Sequence, residues 1–171
     1  FVGMTVQQRQ HHEENREIVA RLVAKWRRFG FLSEQDQKRL TVALQRMRMA
    51  CDSTYLVDHK TREHNKPQEL MVLLEEVLAE DEQVKVVVFS QWLRMQELVV
   101  EALEERSWDF VCFHGGVDPR RRRTLVRQFQ SDPKTRLFLA TDAGGTGLNL
   151  QAGSVVVNLD LPWNPAVLEQ R

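Results

Sequence analysis

The sequence predicts an α/β protein, a doubly wound parallel sheet preceded by a helical segment. Four short apolar runs lie beyond residue 66: Val84–Phe89, Asp109–Phe113, Arg136–Ala140 and Ser154–Leu159. Amphipathic helical stretches intervene, and near-continuous apolar strands alternating with such helices imply a parallel sheet covered on both faces. Residues 1–62, by contrast, hold helix signals only.

Taken in order, an amphipathic stretch runs from about Glu14 to Phe29 and meets Gly30, a residue suited to a helix C-cap. Ser33 with Asp36 three residues on resembles a capping box, and Leu40, Ala43, Leu44, Met47 and Cys51 follow at helical spacing. A polar link, Asp58 to Asn65, closes this part. The expected organisation is a helical lead-in over 1–62 and an α/β domain over 66–171. Pro67 suits the first helical position, and Leu70, Leu74, Val77 and Leu78 give the helix after it an apolar face. A second helix carries Trp92, Met95, Leu98, Val99 and Ala102 on one side. A third is opened by Asp118-Pro119, between the second and third strands.

Charged residues make up 28% and hydrophobic residues 42% of the 171, a globular balance. No apolar run approaches the roughly 20 residues of a membrane span, and the first thirty residues lack a signal-peptide core. The chain starts at Phe1 and stops at Arg171 inside an expected helix, which reads as a piece of a longer polypeptide. Cys51 and Cys112 have no paired partner spacing, so no zinc site is expected, and both read as small buried hydrophobes in a reducing compartment. The 24 basic and 24 acidic residues cancel, yet they are segregated. Lys66 to Arg106 carries four basic and ten acidic residues, whereas Phe113 to Arg136 carries seven basic and two acidic ones. A basic stripe on a neutral domain is an electrostatic footprint for a polyanion.

In open α/β sheets ligands gather at the carboxyl ends of the strands, which singles out the loops beginning at Ser90, His114, Thr141 and Asp160. The run Thr141 to Gly147 holds three glycines in its last four residues, so its backbone can approach a ligand closely and its N–H groups can form an anion nest. The same run is equally compatible with a plain loop. The phosphate-binding pattern G-x-x-x-x-G-K-S/T occurs nowhere in the sequence, so no hydrolysis by this chain alone is expected. Asp81-Glu82 precede a strand instead of ending one, and so do not form a Walker B pair. Arg120 to Arg123 occupy the first turn of a helix, where the macrodipole disfavours cations; an anionic partner or a solvated charge run would each account for them. His11, His12, His59 and His64 are expected to be exposed, and His114 to serve a turn beside Gly115-Gly116. No catalytic triad, carboxylate pair or metal cluster emerges from the spacing, so no catalytic residue is assigned.

With the loops placed, their wording resembles helicase motifs. Phe89-Ser-Gln-Trp92, Ala140 to Leu150 (ATDAGGTGLNL), and Asn158 to Pro165 (NLDLPWNP) followed by Glu169-Gln-Arg171 resemble motifs IV, V and the start of VI of the Swi/Snf family of superfamily-two DNA translocases. Leu44 to Cys51, Asn65-Lys-Pro and the Leu-rich helix after them are similar to that family's approach to its second lobe. The likeness spans roughly residues 40 to 171.

The resemblance implies a RecA-like C-terminal lobe. ATP and Mg²⁺ would be bound mainly by a first lobe in the same polypeptide, and double-stranded DNA would run across both. It implies that Ser90 and Gln91 meet a DNA phosphate, that His114, Gly115 and Arg122 form a backbone-facing loop and helix, and that Thr141 bonds phosphate. Gly147, Leu148 and Asn149 would approach the ATP ribose, and Gln170 and Arg171 would open motif VI. The chain ends before the positions of the family's arginine fingers. Asp160-Leu-Pro-Trp-Asn-Pro165 departs from the acidic D-x-D-W-N-P of eukaryotic remodellers, which points to a prokaryotic, cytoplasmic protein, or a nuclear one if eukaryotic. Two other readings remain open: an RNA-directed helicase lobe, and a degenerate lobe kept for protein contacts through residues 1–62.

Overall fold

The computed structural model describes residues 2–142 and 148–171. It divides into two compact units, Phe1–Lys66 and Pro67–Arg171.

The first unit is helical: α1 (Val6–Phe29), α2 (Glu34–Asp52) and the single turn α3 (Tyr55–Asp58). Helix α1 starts eight residues before the expected Glu14, because Thr5 and Gln8 form a reciprocal capping box. Its polar first turns are anchored through Gln8. Gln8 is 1% exposed and donates to the Ala50 carbonyl at 2.8 Å. At the other end Lys25 reaches Asp36 at 2.5 Å. The start of α1 thus meets the end of α2 and its end meets the start of α2, an antiparallel pair with Leu22, Ala43 and Ala50 buried. Gly30 adopts the left-handed conformation (φ 76°) and caps α1 through a bond to the Trp26 carbonyl. Ser33 caps α2 by accepting from the Asp36 amide.

The histidines of this unit depart from expectation. Only His59 is exposed, while His11, His12 and His64 are half-buried. His11 lies 3.5 Å from Asp58, and His64 shares a hydrogen bond with the Ser53 hydroxyl. The polar link folds back on the helices, and so brings Asp58 to His11 and His64 to Ser53. The Thr54 amide donates to the Glu63 carbonyl, the Glu63 amide donates to the Thr54 hydroxyl, and Lys66 pairs with Asp52 at 2.5 Å.

The second unit comprises α4 (Lys66–Glu80), β1 (Val86–Phe89), α5 (Leu93–Glu104), β2 (Phe110–Phe113), α6 (Pro119–Ser131), β3 (Leu137–Ala140), β4 (Val155–Asn158) and α7 (Pro165–Gln170). All strand pairs are parallel, in the order β2-β3-β1-β4. The chain moves outward from β1 to β2 and back to β3. Right-handed crossovers therefore put α5 and α6 on opposite faces, which is double winding. Period-two alternation sends Val87, Phe89, Val111, Phe113, Phe138 and Ala140 to one face, where they close on Phe129 of α6. The Phe129 and Phe138 rings lie 5.1 Å apart.

Two half-buried cations hold the amino-terminal edge of the sheet. Lys85 donates to the carbonyls of Phe129, Asp132 and Thr135, satisfying the last turn of α6. Arg136 does the same for the end of α4 through Leu78, Asp81 and Val84. Cys51 and Cys112 are half-buried free thiols, and burial pushes both up from the usual thiol range.

Candidate nucleic-acid and nucleotide interface

The register sets the site. Phe89 and Phe113 both stand opposite Ala140, so β2, β3 and β1 end level with one another. The next residue of each strand continues the ladder by one bond: Ser90 donates its amide to the Ala140 carbonyl and Thr141 donates to that of Phe113, both at 3.1 Å. His114, Thr141 and Ser90 therefore sit in a row on the carboxyl edge of the sheet.

Ser90 is 1% exposed, and its hydroxyl donates to Asp160 at 2.7 Å while accepting from the Trp92 amide. The side chain expected to meet a phosphate is thus turned inward; a serine directly after a buried strand has a buried acceptor beside it. Gln91 is half-buried and gives its backbone N–H to both oxygens of the same carboxylate at 3.1 Å. Thr141 is 5% exposed.

The turn after β2 is built by its own polar atoms. The Gly116 amide donates to His114 Nδ1 at 3.1 Å, which makes Nδ1 the acceptor nitrogen of that ring. Arg122, one turn into α6, reaches back to the carbonyls of Gly115 and Val117 at 3.1 Å each. Its guanidinium also lies over the Phe113 ring, 5.6 Å from the centroid. Asp118 caps α6 by accepting from the Arg120 amide; Arg120, Arg121 and Arg123 are exposed near that end and Arg127 further along the helix.

On the other flank, Gly147 lies outside the described residues. Leu148 is half-buried and packs against the Phe129 cluster, so its side chain serves the core. Asn149 is exposed, and its backbone carbonyl accepts from Gln130. Gln170 is exposed on α7.

Arg171 is the opposite: its side chain is only 3% exposed. Nε and one terminal nitrogen meet Asp142 Oδ1 at 2.7 and 2.5 Å. The other terminal nitrogen donates to Asn158 Oδ1 at 2.9 Å and to the Asp160 carbonyl at 2.8 Å. Asp142, Asn158 and Asp160 lie in the motif-like runs, and Asp160 opens one of the loops singled out, but none was given a role of its own. Their one signal in the sequence is a polar side chain at or just after the end of an apolar run, and that signal names no partner.

Residues 65–171 match the family model described as the helicase conserved C-terminal domain. The DNA repair protein RAD5B of Arabidopsis thaliana is 37% identical over 122 residues, 70% of this chain and 10% of that protein. The chromatin-remodeling ATPase INO80 of Candida glabrata is 33% identical over 115 residues, 67% of this chain and 8% of that protein. The chain thus spans about a tenth of these relatives. Its fold is that of the Sulfolobus solfataricus SWI2/SNF2 ATPase C-terminal domain, with TM-score 0.80 and 20% identity over 95% of this chain and 71% of that one. Against the core of the same ATPase in complex with dsDNA the TM-score is 0.76, again at 20% identity, over 95% of this chain and 34% of that one.

Proposed function

The chain belongs to the helicase conserved C-terminal domain family, in its Swi/Snf branch, and from this we propose that it is the second motor lobe of an ATP-dependent double-stranded DNA translocase. The observation that supports this reading best is the row His114–Thr141–Ser90 on the carboxyl edge of the sheet, flanked by the arginines of α6.

In this reading Gln91, His114, Gly115, Arg122 and Thr141 form the DNA-facing set. Ser90 acts by holding Asp160 and the Gln91 turn. Contacts of this kind are to phosphates, so the grip is sequence-independent. Asn149 and Gln170 face the nucleotide, Leu148 anchors the Asn149 loop in the core, and Arg171 fixes the helix that carries Gln170.

Among the described residues no three His, Cys, Asp or Glu side chains are grouped to hold a metal, and the sequence has no phosphate-binding lysine loop. These features fit a division of labour in which a P-loop lobe supplies most of the contacts to ATP and Mg²⁺. Bound there, Mg²⁺ neutralises charge on the phosphates being cleaved. This chain alone is accordingly proposed to be inactive as an ATPase.

The test is steady-state ATP hydrolysis by a polypeptide joining this lobe to its P-loop lobe, with and without duplex DNA, beside this chain alone. Strong stimulation by duplex DNA and silence of the isolated chain is the expected result. Stimulation by RNA but not duplex DNA would transfer the lobe to RNA helicases. Silence with both would leave a protein-binding role for it.

A further inference from the structure

The carboxyl edge of the sheet holds a buried ionic cluster that the motif wording does not assign. Asp160 follows β4, which pairs with β1, so its carboxylate comes to lie against the turn that leaves β1. There it collects the Ser90 hydroxyl and the Gln91 amide while 8% exposed. Arg171 approaches from α7, 3.6 Å from Asp160 Oδ1, and bridges to Asp142 after β3 and to Asn158 at the end of β4. Its guanidinium lies over the Phe89 ring of β1, 5.3 Å from the centroid. One side chain thus touches the ends of β1, β3 and β4.

We propose that Arg171 and Asp160 are positioning residues that lock the Ser90–Gln91 turn to helix α7. The naming of those two ends as the DNA side and the nucleotide side rests on the function proposed above; the lock itself does not. Through it, a displacement of α7 is felt at Gln91, because Asp160 has both Arg171 and the Gln91 amide as partners. A buried carboxylate that loses one charged partner must find other donors or shift. The fork geometry matters as much as the charge. Two nitrogens of one planar group hydrogen-bond Asp142, Asn158 and the Asp160 carbonyl while the third lies in ion-pair range of Asp142 and Asp160, which a single ammonium cannot do.

The experiment is hydrogen exchange on this chain and on its Arg171→Lys and Asp160→Asn variants, with segment 137–140 as the internal reference. In both variants the amides of Gln91 and Trp92 are expected to exchange about tenfold faster or more, the equivalent of losing one charge-assisted hydrogen bond, while 137–140 stays protected. A lysine variant with wild-type protection at 90–92 would overturn the proposal. So would an asparagine variant that exchanges like wild type. Loss of protection at 137–140 in both variants would also refute it, marking the pair as fold determinants instead. A parallel titration with a short duplex at low salt separates this from the functional reading. Failure of the wild-type chain to bind would sink the DNA assignment and leave the exchange result to decide the lock.

Discussion

Arg122 belongs to the proposed DNA-facing set, yet the contacts it makes are to its own turn. It satisfies the carbonyls of Gly115 and Val117, which would otherwise stand unpaired in an exposed turn, and so holds the turn that begins at His114. Arg122→Ala in the intact enzyme is expected to weaken DNA binding several-fold at low salt. Arg122→Lys should recover little of it, since one ammonium cannot span both carbonyls as a fork does. Full recovery by lysine in an anisotropy titration would show that charge alone matters there. Gly153 is a second position where a single atom decides. A Cβ there would sit 2.6 Å from Cγ2 of Val87 and 3.2 Å from the Leu150 carbonyl oxygen. Val87 is β-branched and 2% exposed in β1, so it has no room to yield. Gly153→Ala should therefore destabilise the fold by about 1–3 kcal/mol, the usual cost of overpacking, read as a lower urea midpoint with unchanged slope.

At the scale of elements, helix ends carry much of the stability that burial does not. The last turn of α6 is satisfied by the Lys85 ammonium, which also lies over the Phe129 ring at 5.2 Å. Lys85→Met keeps the stem and removes the donors, and should cost about 1–3 kcal/mol in chemical denaturation, the price of unsatisfied buried carbonyls. In the helical unit, burial opposes ionisation of Asp58, but the Thr61 hydroxyl and the amides of Lys60 and Thr61 outweigh it and hold the carboxyl down to about 2. A depressed folded-state value stabilises above the unfolded carboxylate range, about 3.9, and the contribution disappears as pH falls from there through about 2. Asp58→Asn should thus flatten the acid limb of the thermal-stability profile in that window and lower stability at neutral pH. Strands, crossover helices and caps were legible in the sequence because each depends on local pattern: VVVF at β1, Asp118-Pro119 at α6, Gly30 after α1. The first turns of α1 were not, since Gln8 is buried by a tertiary hydrogen bond to the Ala50 carbonyl that no apolar period announces. Nor was the lock at the sheet edge. Recognising that Asp160 serves Ser90 requires knowing that β4 pairs with β1, seventy residues away in sequence, and only the fold supplies that.

For the molecule as a whole, zero net charge conceals a division that bears on the proposed contact with DNA. Residues 113–136 are net basic and residues 66–106 net acidic, and both stretches belong to the α/β part of the chain. Helix α6 carries Arg120, Arg121 and Arg123 exposed at its start, against its own macrodipole, and Arg127 exposed two turns further on. Neutralising about three to four phosphates with these groups releases condensed counterions, so the logarithm of duplex affinity should fall with the logarithm of salt with a slope of about −3. Arg121→Ala with Arg123→Ala should bring the slope to about −1 to −2 while leaving the melting temperature unchanged, because exposed arginines contribute little to folding. The acidic stretch sharpens the comparison: its charge reversal at Glu97 and Glu101, both exposed on α5, should leave the slope where it was if the basic edge alone meets DNA. A slope that follows the α5 charges instead of those of α6 would place the contact on the opposite face of the sheet.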